Sequence, residues 1–123
     1  MTDRTRSVNL DPASLRLLDD WGAAVRSSFP SSFGPFHVGS SFRGGDGTWR
    51  DVDVRVILND ADYNALAAVM KPKRLNLMLT LWGRQVTGLP IDCQVQAQSW
   101  ANERYPHPRS ALGLRDDNGD EGA

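Results

Sequence analysis

Three aspartates and one Gly-Ser pair are the residues of this chain whose types and spacing could do chemistry. Asp51 and Asp53 stand two apart in the stretch Arg50-Asp51-Val52-Asp53-Val54, and on an extended strand residues two apart project from the same face. Two carboxylates on one face can share a divalent cation, Mg²⁺ or Mn²⁺. By itself the pair has other readings: a solvated strand edge, a helix cap, or the metal-diphosphate site that sugar-transferring enzymes build from Asp-x-Asp.

Gly39-Ser40 directly follows a short apolar run, Phe36 to Val38. A glycine there lets the backbone approach a ligand closely, and a turn of helix starting at Ser40 would aim free N–H groups at an anion, with the Ser40 hydroxyl beside them. A plain strand-to-loop turn is the other reading of these two residues. The third carboxylate, Asp92, lies in the run Ile91 to Gln96, where Ile91, Cys93 and Val95 alternate with Asp92, Gln94 and Gln96. If that run is a strand beside Asp51 to Leu58, Asp92 joins the first two on the non-core face; on an edge strand it would simply sit in water.

The elements that must position these groups are legible in outline. Asp11 and Pro12 read as the N-cap and first residue of a helix, and Leu15, Leu18, Trp21, Gly22, Val25 and Phe29 follow at close to helical spacing. Ser28 to Pro35 ends that helix, and Phe36 to Val38 follows as a strand. From Gly39 to Arg50, Gly44, Gly45 and Gly47 argue for a functional loop with no regular structure beyond a turn of helix. In Asp51 to Leu58, the valines at 52, 54 and 56 and Leu58 alternate with Asp51, Asp53, Arg55 and Ile57 as a two-faced strand requires.

Asn59 or Asp60 can cap a helix carrying Tyr63, Leu66, Ala67 and Met70, which Lys71-Pro72 should stop. A second helix is expected from about Leu75 to Val86. Leu75, Leu77, Leu79 and Leu81 also alternate like a strand, and the length of the segment favours the helix. Gly88 would stop it and Pro90 lead into the strand at Ile91. The expected class is therefore α/β (α+β), a small mixed sheet flanked by helices. Residues 1–8 form an expected flexible arm, 9–105 the domain, and 106–123, with Pro106, Pro108 and the acidic Asp116, Asp117, Asp120 and Glu121, an untethered tail.

Composition narrows the functions this domain could serve. A chain of 123 residues with 40% hydrophobic and 24% charged side chains suits one globular domain, and no apolar run approaches the length that crosses a bilayer. Met1 to Asn9 lacks the apolar stretch of a secretory signal. Cys93, the only cysteine, excludes an intrachain disulfide and a thiolate metal cage; a reducing cytoplasm is the expected location. Fourteen basic against fifteen acidic side chains, net charge −1, lack the footprint of a nucleic-acid binder. That balance favours a small-molecule or protein substrate. The local cluster Lys71, Lys73 and Arg74 reads as a solvated connection, or as a contact for a phosphate.

Taken in order, Gly39-Ser40, Arg43-Gly44, Asp51-x-Asp53 twelve residues after the glycine, and a later strand bearing Asp92 resemble the minimal nucleotidyltransferases of the DNA polymerase β superfamily. The match spans residues 36–96, about half the chain. The resemblance implies a metal-dependent transfer of a nucleoside monophosphate from a nucleoside triphosphate to a hydroxyl on a protein, a small molecule or RNA, with release of pyrophosphate. In it Asp51, Asp53 and Asp92 are the catalytic and metal-holding residues, with Asp92 serving the ion that activates the acceptor hydroxyl. Gly39 and Ser40 would cradle the β and γ phosphates, and Arg43 would offset the charge that grows there.

Two arginines depart from that pattern. Arg50 precedes the first aspartate and Arg55 follows the second on the same strand face, so each could pair with a carboxylate or bind a phosphate. Trp49 could stack on a base or pack in the core, and His37 could lie near the site or be a hydrogen-bonded core histidine. Only 27 residues follow Gln96, too few for the helical domain that larger members add. A second copy of the chain or a protein partner would have to complete the cleft. Among minimal members an antitoxin that modifies a small helical partner is a recurrent role. A non-catalytic nucleotide-binding or protein-interaction module on the same fold is the rival expectation.

Overall fold

The computed structural model describes residues 9–43, 47–104 and 109–114. The expected arm at 1–8, Gly44 and Gly45 of the loop, and Tyr105, Pro106, Pro108 and the acidic end lie outside the described residues.

The first helix, α1 (Pro12–Ser28), starts as its sequence dictates: the Asp11 carboxylate accepts from the Ser14 N–H at 3.3 Å, and Pro12 occupies the first turn, where its missing donor costs nothing. The helix buries Leu18, Trp21, Gly22 and Val25. Strand β1 (Phe36–Val38) leads into a single turn of helix, α2 (Ser40–Arg43), and then into β2 (Val52–Leu58). Helix α3 (Asp60–Val69) is capped by the Asn59 side chain, which accepts from the Asp62 N–H at 2.8 Å.

Lys71-Pro72 does stop α3, but Pro72 also opens α4 (Pro72–Thr87), three residues before the expected start at Leu75. A proline tolerated in the first turn explains both effects. The leucine alternation in this segment resolves as helix: Leu79, Gly83 and Thr87, one turn apart, are its buried line. Gly83 is there because α1 crosses closely, and a Cβ at 83 would lie 2.8 Å from the Trp21 ring. Gly88 ends α4 in the left-handed conformation.

Strand β3 (Ile91–Ala97) runs straight into α5 (Gln98–Arg104), an element with no clear signal in the sequence. The last strand, β4 (Ser110–Ala111), ties the described part of the expected untethered tail, residues 109–114, to the sheet. It pairs antiparallel with β1, Leu112 is buried, its N–H bonds to the Pro35 carbonyl, and its own carbonyl accepts from Arg26 Nε at 3.0 Å. The Asp19 carboxylate accepts from the Gly113 N–H at 2.8 Å.

The sheet order is β3-β2-β1-β4, with β2 and β3 parallel and the other pairs antiparallel. This is the mixed sheet flanked by helices that the alternation of strands and helices predicts. One face carries Val52, Val54, Val56, Leu58, Ile91, Cys93 and Val95, packed with Leu18, Trp21 and Val25 of α1 and Leu79 of α4. No helix of the described residues is long and apolar enough to cross a membrane.

Candidate functional site

The opposite face of the sheet carries the charged residues. In the parallel β2–β3 ladder Asp53 stands directly beside Asp92, and Arg55 beside Gln94, so neighbouring strands bring their side chains to the same face. Asp51 immediately precedes β2 and is exposed, whereas Asp53 and Asp92 are half-buried. One carboxylate oxygen from each of Asp51, Asp53 and Asp92 can be chosen so that all lie within 4.8 Å of one another. Oxygens on opposite sides of a divalent ion about 2.1 to 2.4 Å away are themselves about 4.2 to 4.8 Å apart. The donor set, all hard oxygen, could hold a divalent cation.

Gly39 completes the corner from β1. Its φ of +80° belongs to the left-handed region, and a Cβ placed on it would overlap Asp53 Oδ2, so only glycine lets the β1–α2 turn close against the carboxylate. The backbone N–H groups of Phe42 and Arg43 bond to the Gly39 carbonyl at 3.0 Å, which holds α2 against that turn. Ser40 follows as the exposed first residue of α2. Arg43 lies at the exposed end of α2 with its guanidinium 5.5 Å from the Phe42 ring centre.

Arg55 makes the carboxylate pairing that was one of its two readings. Its Nη2 lies 3.8 Å from Asp53 Oδ1 and 3.8 Å from Asp92 Oδ2, and its Nη1 donates to the backbone carbonyls of Val54 and Asp92 at 2.9 Å each. The guanidinium thus bridges the two carboxylates. Arg50 is exposed, and the ion pairs of Asp53 and Asp92 among the described residues are with Arg55. Burial pushes the Asp53 carboxyl above its usual range; Arg55 opposes this, and the nearby Asp92 and Asp51 charges add to it.

His37 is the hydrogen-bonded core histidine. Paired with Val54 in the β1–β2 register, it faces the apolar side, is fully buried, and meets Ser41 Oγ at 2.8 Å through Nε2. Burial pushes its pKa down to about 4. Trp49 takes the packing role: it lies against the core, half-buried, and its indole N–H donates to the Asn9 carbonyl at 3.2 Å. Lys71, Lys73 and Arg74 are exposed at the start of α4. Thr87-Gly88-Leu89-Pro90 is a helix stop, in which Thr87 Oγ1 donates to the Gly83 carbonyl and accepts from the Leu89 N–H.

A further cation, absent from the sequence-based expectations, stands on the charged side. Phe36 pairs with Arg55 across β1–β2 and so faces the same way; Arg109, just before β4, sits 5.0 Å from its ring centre and donates to Asn102 Oδ1 at 3.3 Å. A signal existed in the apolar Ala111-Leu112 step after a polar segment, since an apolar pair there needs somewhere to pack. Comparison with family models, with curated proteins and with solved structures gave no match.

Proposed function

We propose that this chain is a metal-dependent nucleotidyltransferase, moving a nucleoside monophosphate from a nucleoside triphosphate to a hydroxyl acceptor. The observation that carries this reading is the convergence of Asp51, Asp53 and Asp92 across β2 and β3 with Gly39 closed against Asp53. Asp51, Asp53 and Asp92 would hold the divalent cation, which when bound supplies charge neutralisation for the triphosphate and polarisation of the acceptor hydroxyl. Gly39 and Ser40 would orient the β and γ phosphates from the β1–α2 turn, and Arg43 would lie beside them to offset their charge.

In the reaction the acceptor oxygen bonds to the α-phosphorus as the bond to the bridging oxygen of pyrophosphate breaks. The hydroxyl proton would pass to a carboxylate oxygen of Asp92. The near-neutral charge of the chain favours an acceptor that is a small molecule or a protein, including the small helical partner an antitoxin would modify, over a nucleic acid. Among the described residues no feature of the site selects one base.

One observation favours a second reading. Arg55 already neutralises part of the acidic cluster, as a nucleotide-binding or protein-interaction module without turnover would tolerate. Incubating the full chain with Mg²⁺, α-labelled nucleoside triphosphates and cell extract separates the two. Catalysis predicts labelled product that falls by about a hundredfold or more in Asp51→Asn and in Asp53→Asn. Triphosphate binding that needs no metal, with no label transferred, would instead support the module.

A further inference from the structure

Helix α4 sends one side into the core, yet its other side is not simply polar. Leu79, Gly83 and Thr87 form its buried line. On the opposite side Leu77, Met78 and Leu81 stand three and four residues apart and are 54%, 57% and 54% exposed. Arg74 lies three residues before Leu77 and Arg84 three after Leu81, both exposed, with the exposed Lys73 one turn before Leu77. The order 74, 77, 81, 84 has the alternating three-and-four spacing by which one helix offers a seam to another. From Arg74 to Arg84 the seam runs about 15 Å, which about three turns of a partner helix would cover.

The charge around this stripe has one sign. Lys73 and Arg74 occupy the first turn of α4, where no acidic residue stands and no side chain caps the helix. Helix α3 of the same chain instead places Asp60 and Asp62 in its first turn, beneath the Asn59 cap. Cations at the positive end of a helix dipole weaken the helix, so the stability of α4 does not account for them. Lys73, Arg74 and Arg84 carry no ion pair among the described residues.

These features select the occupant. A second copy laid α4 against α4 would set Arg74 on Arg74 in parallel orientation, or Arg74 on Arg84 in antiparallel, and both oppose like charges. A lipid surface takes a broader apolar face with aromatic anchors, and Trp82, the one aromatic residue of α4, packs edge-on to Trp21. We propose that the outer face of α4 docks an acidic amphipathic helix of a partner protein, its apolar side chains on Leu77, Met78 and Leu81 and its carboxylates against Lys73, Arg74 and Arg84. The inference stands apart from the reaction, because Asp53 and Asp92 lie on the face of the sheet that α4 does not cover.

The test uses the full chain and two labelled helical peptides about four turns long. One carries leucines spaced three and four apart with glutamates beside them; the other has lysine for every glutamate. Fluorescence anisotropy at low salt should show the acidic peptide binding at least about tenfold more tightly than the basic one, and added salt should remove most of that difference. Leu77→Ser combined with Leu81→Ser should weaken the acidic peptide by about tenfold or more. Lys73→Glu combined with Arg74→Glu should reverse the preference between the peptides, a change that damage to the fold could not produce. No binding of the acidic peptide, equal binding of the two, or an unreversed preference in the folded charge variant overturns the proposal. A wild-type dimer in sedimentation that Leu77→Ser dissociates would overturn it in favour of a second copy. Tighter binding to vesicles containing phosphatidylserine, lost in the same variant, would overturn it in favour of a membrane.

Discussion

The two faces of β2 and β3 share one ladder of backbone hydrogen bonds and differ only in which alternate residues they present. On one face Val52, Val54, Val56, Ile91, Cys93 and Val95 are buried under α1 and α4. On the other, Asp53, Arg55, Asp92 and Gln94 are half-buried. Parallel strands usually read as apolar on both faces because both are covered, so the charged patch departs from what folding alone would select. The departure is local: farther along the same face Ile57 and Gln96 are buried, although strict alternation would leave them with the polar set. Apolar burial is concentrated on one face and the acidic cluster on the other, and each can be attacked separately.

The largest effect is expected on the apolar face. Trp21 is fully buried, packs edge-on to Trp82 with ring centres 6.0 Å apart, and lies against Gly83. Trp21→Ala should cost about 3–5 kcal/mol in urea unfolding, while Mn²⁺ affinity per folded molecule stays as in wild type. A cost below about 1 kcal/mol would mean that the sheet is not held by this face.

The next effect tests a polar group on the apolar face. His37 has its pKa lowered by burial from 6.5 to about 4, so between those values the unfolded chain takes up a proton that the folded chain refuses. Stability from this group is complete above pH 6.5 and is lost as the pH falls toward 4, at about 1.4 kcal/mol per pH unit. Urea unfolding of wild type and His37→Gln over that range should show the difference narrowing toward acid. Parallel curves would indicate that His37 is protonated inside the fold.

How much of this contrast the sequence carries differs from residue to residue. The alternation of Val52, Val54 and Val56 against Asp51, Asp53 and Arg55 is a period-2 signal over enough residues to assign both faces. Asp92 belonged to the polar set of its own run, but its position beside Asp53 depended on β3 lying next to β2 in the Val52–Ile91 register, which no local pattern specifies. Helix α5 and strand β4 escaped because seven and two residues are too few for periodicity to be read. Arg55 could not be resolved in advance, since a guanidinium on that face reaches either a carboxylate or a ligand, and the carbonyls of Val54 and Asp92 that fix it are features of the folded backbone. His37 and Trp49 fell to the ordinary packing roles of their residue types.

The smallest change in stability should come from the polar face, and its sign is informative. Asp53 holds its proton more tightly in the folded chain, chiefly because burial strips water from the carboxylate. As pH rises through that raised value the folded state loses stability relative to a chain with a neutral side chain there. Asp53→Asn is nearly the same size, so it fits against Gly39, and Arg55 keeps Asp92 and its two carbonyl partners. Metal-free Asp53→Asn should therefore be as stable as wild type or more so at neutral pH. The gap should open above pH 3.8, the ordinary value of the group, and level off beyond the raised one. Mn²⁺ should then stabilise wild type alone, closing or reversing the gap, because only a carboxylate at 53 gains from the ion. A variant less stable than wild type by more than about 2 kcal/mol without metal would erase the contrast between the faces, since Asp53 would then be holding the fold rather than waiting for a ligand.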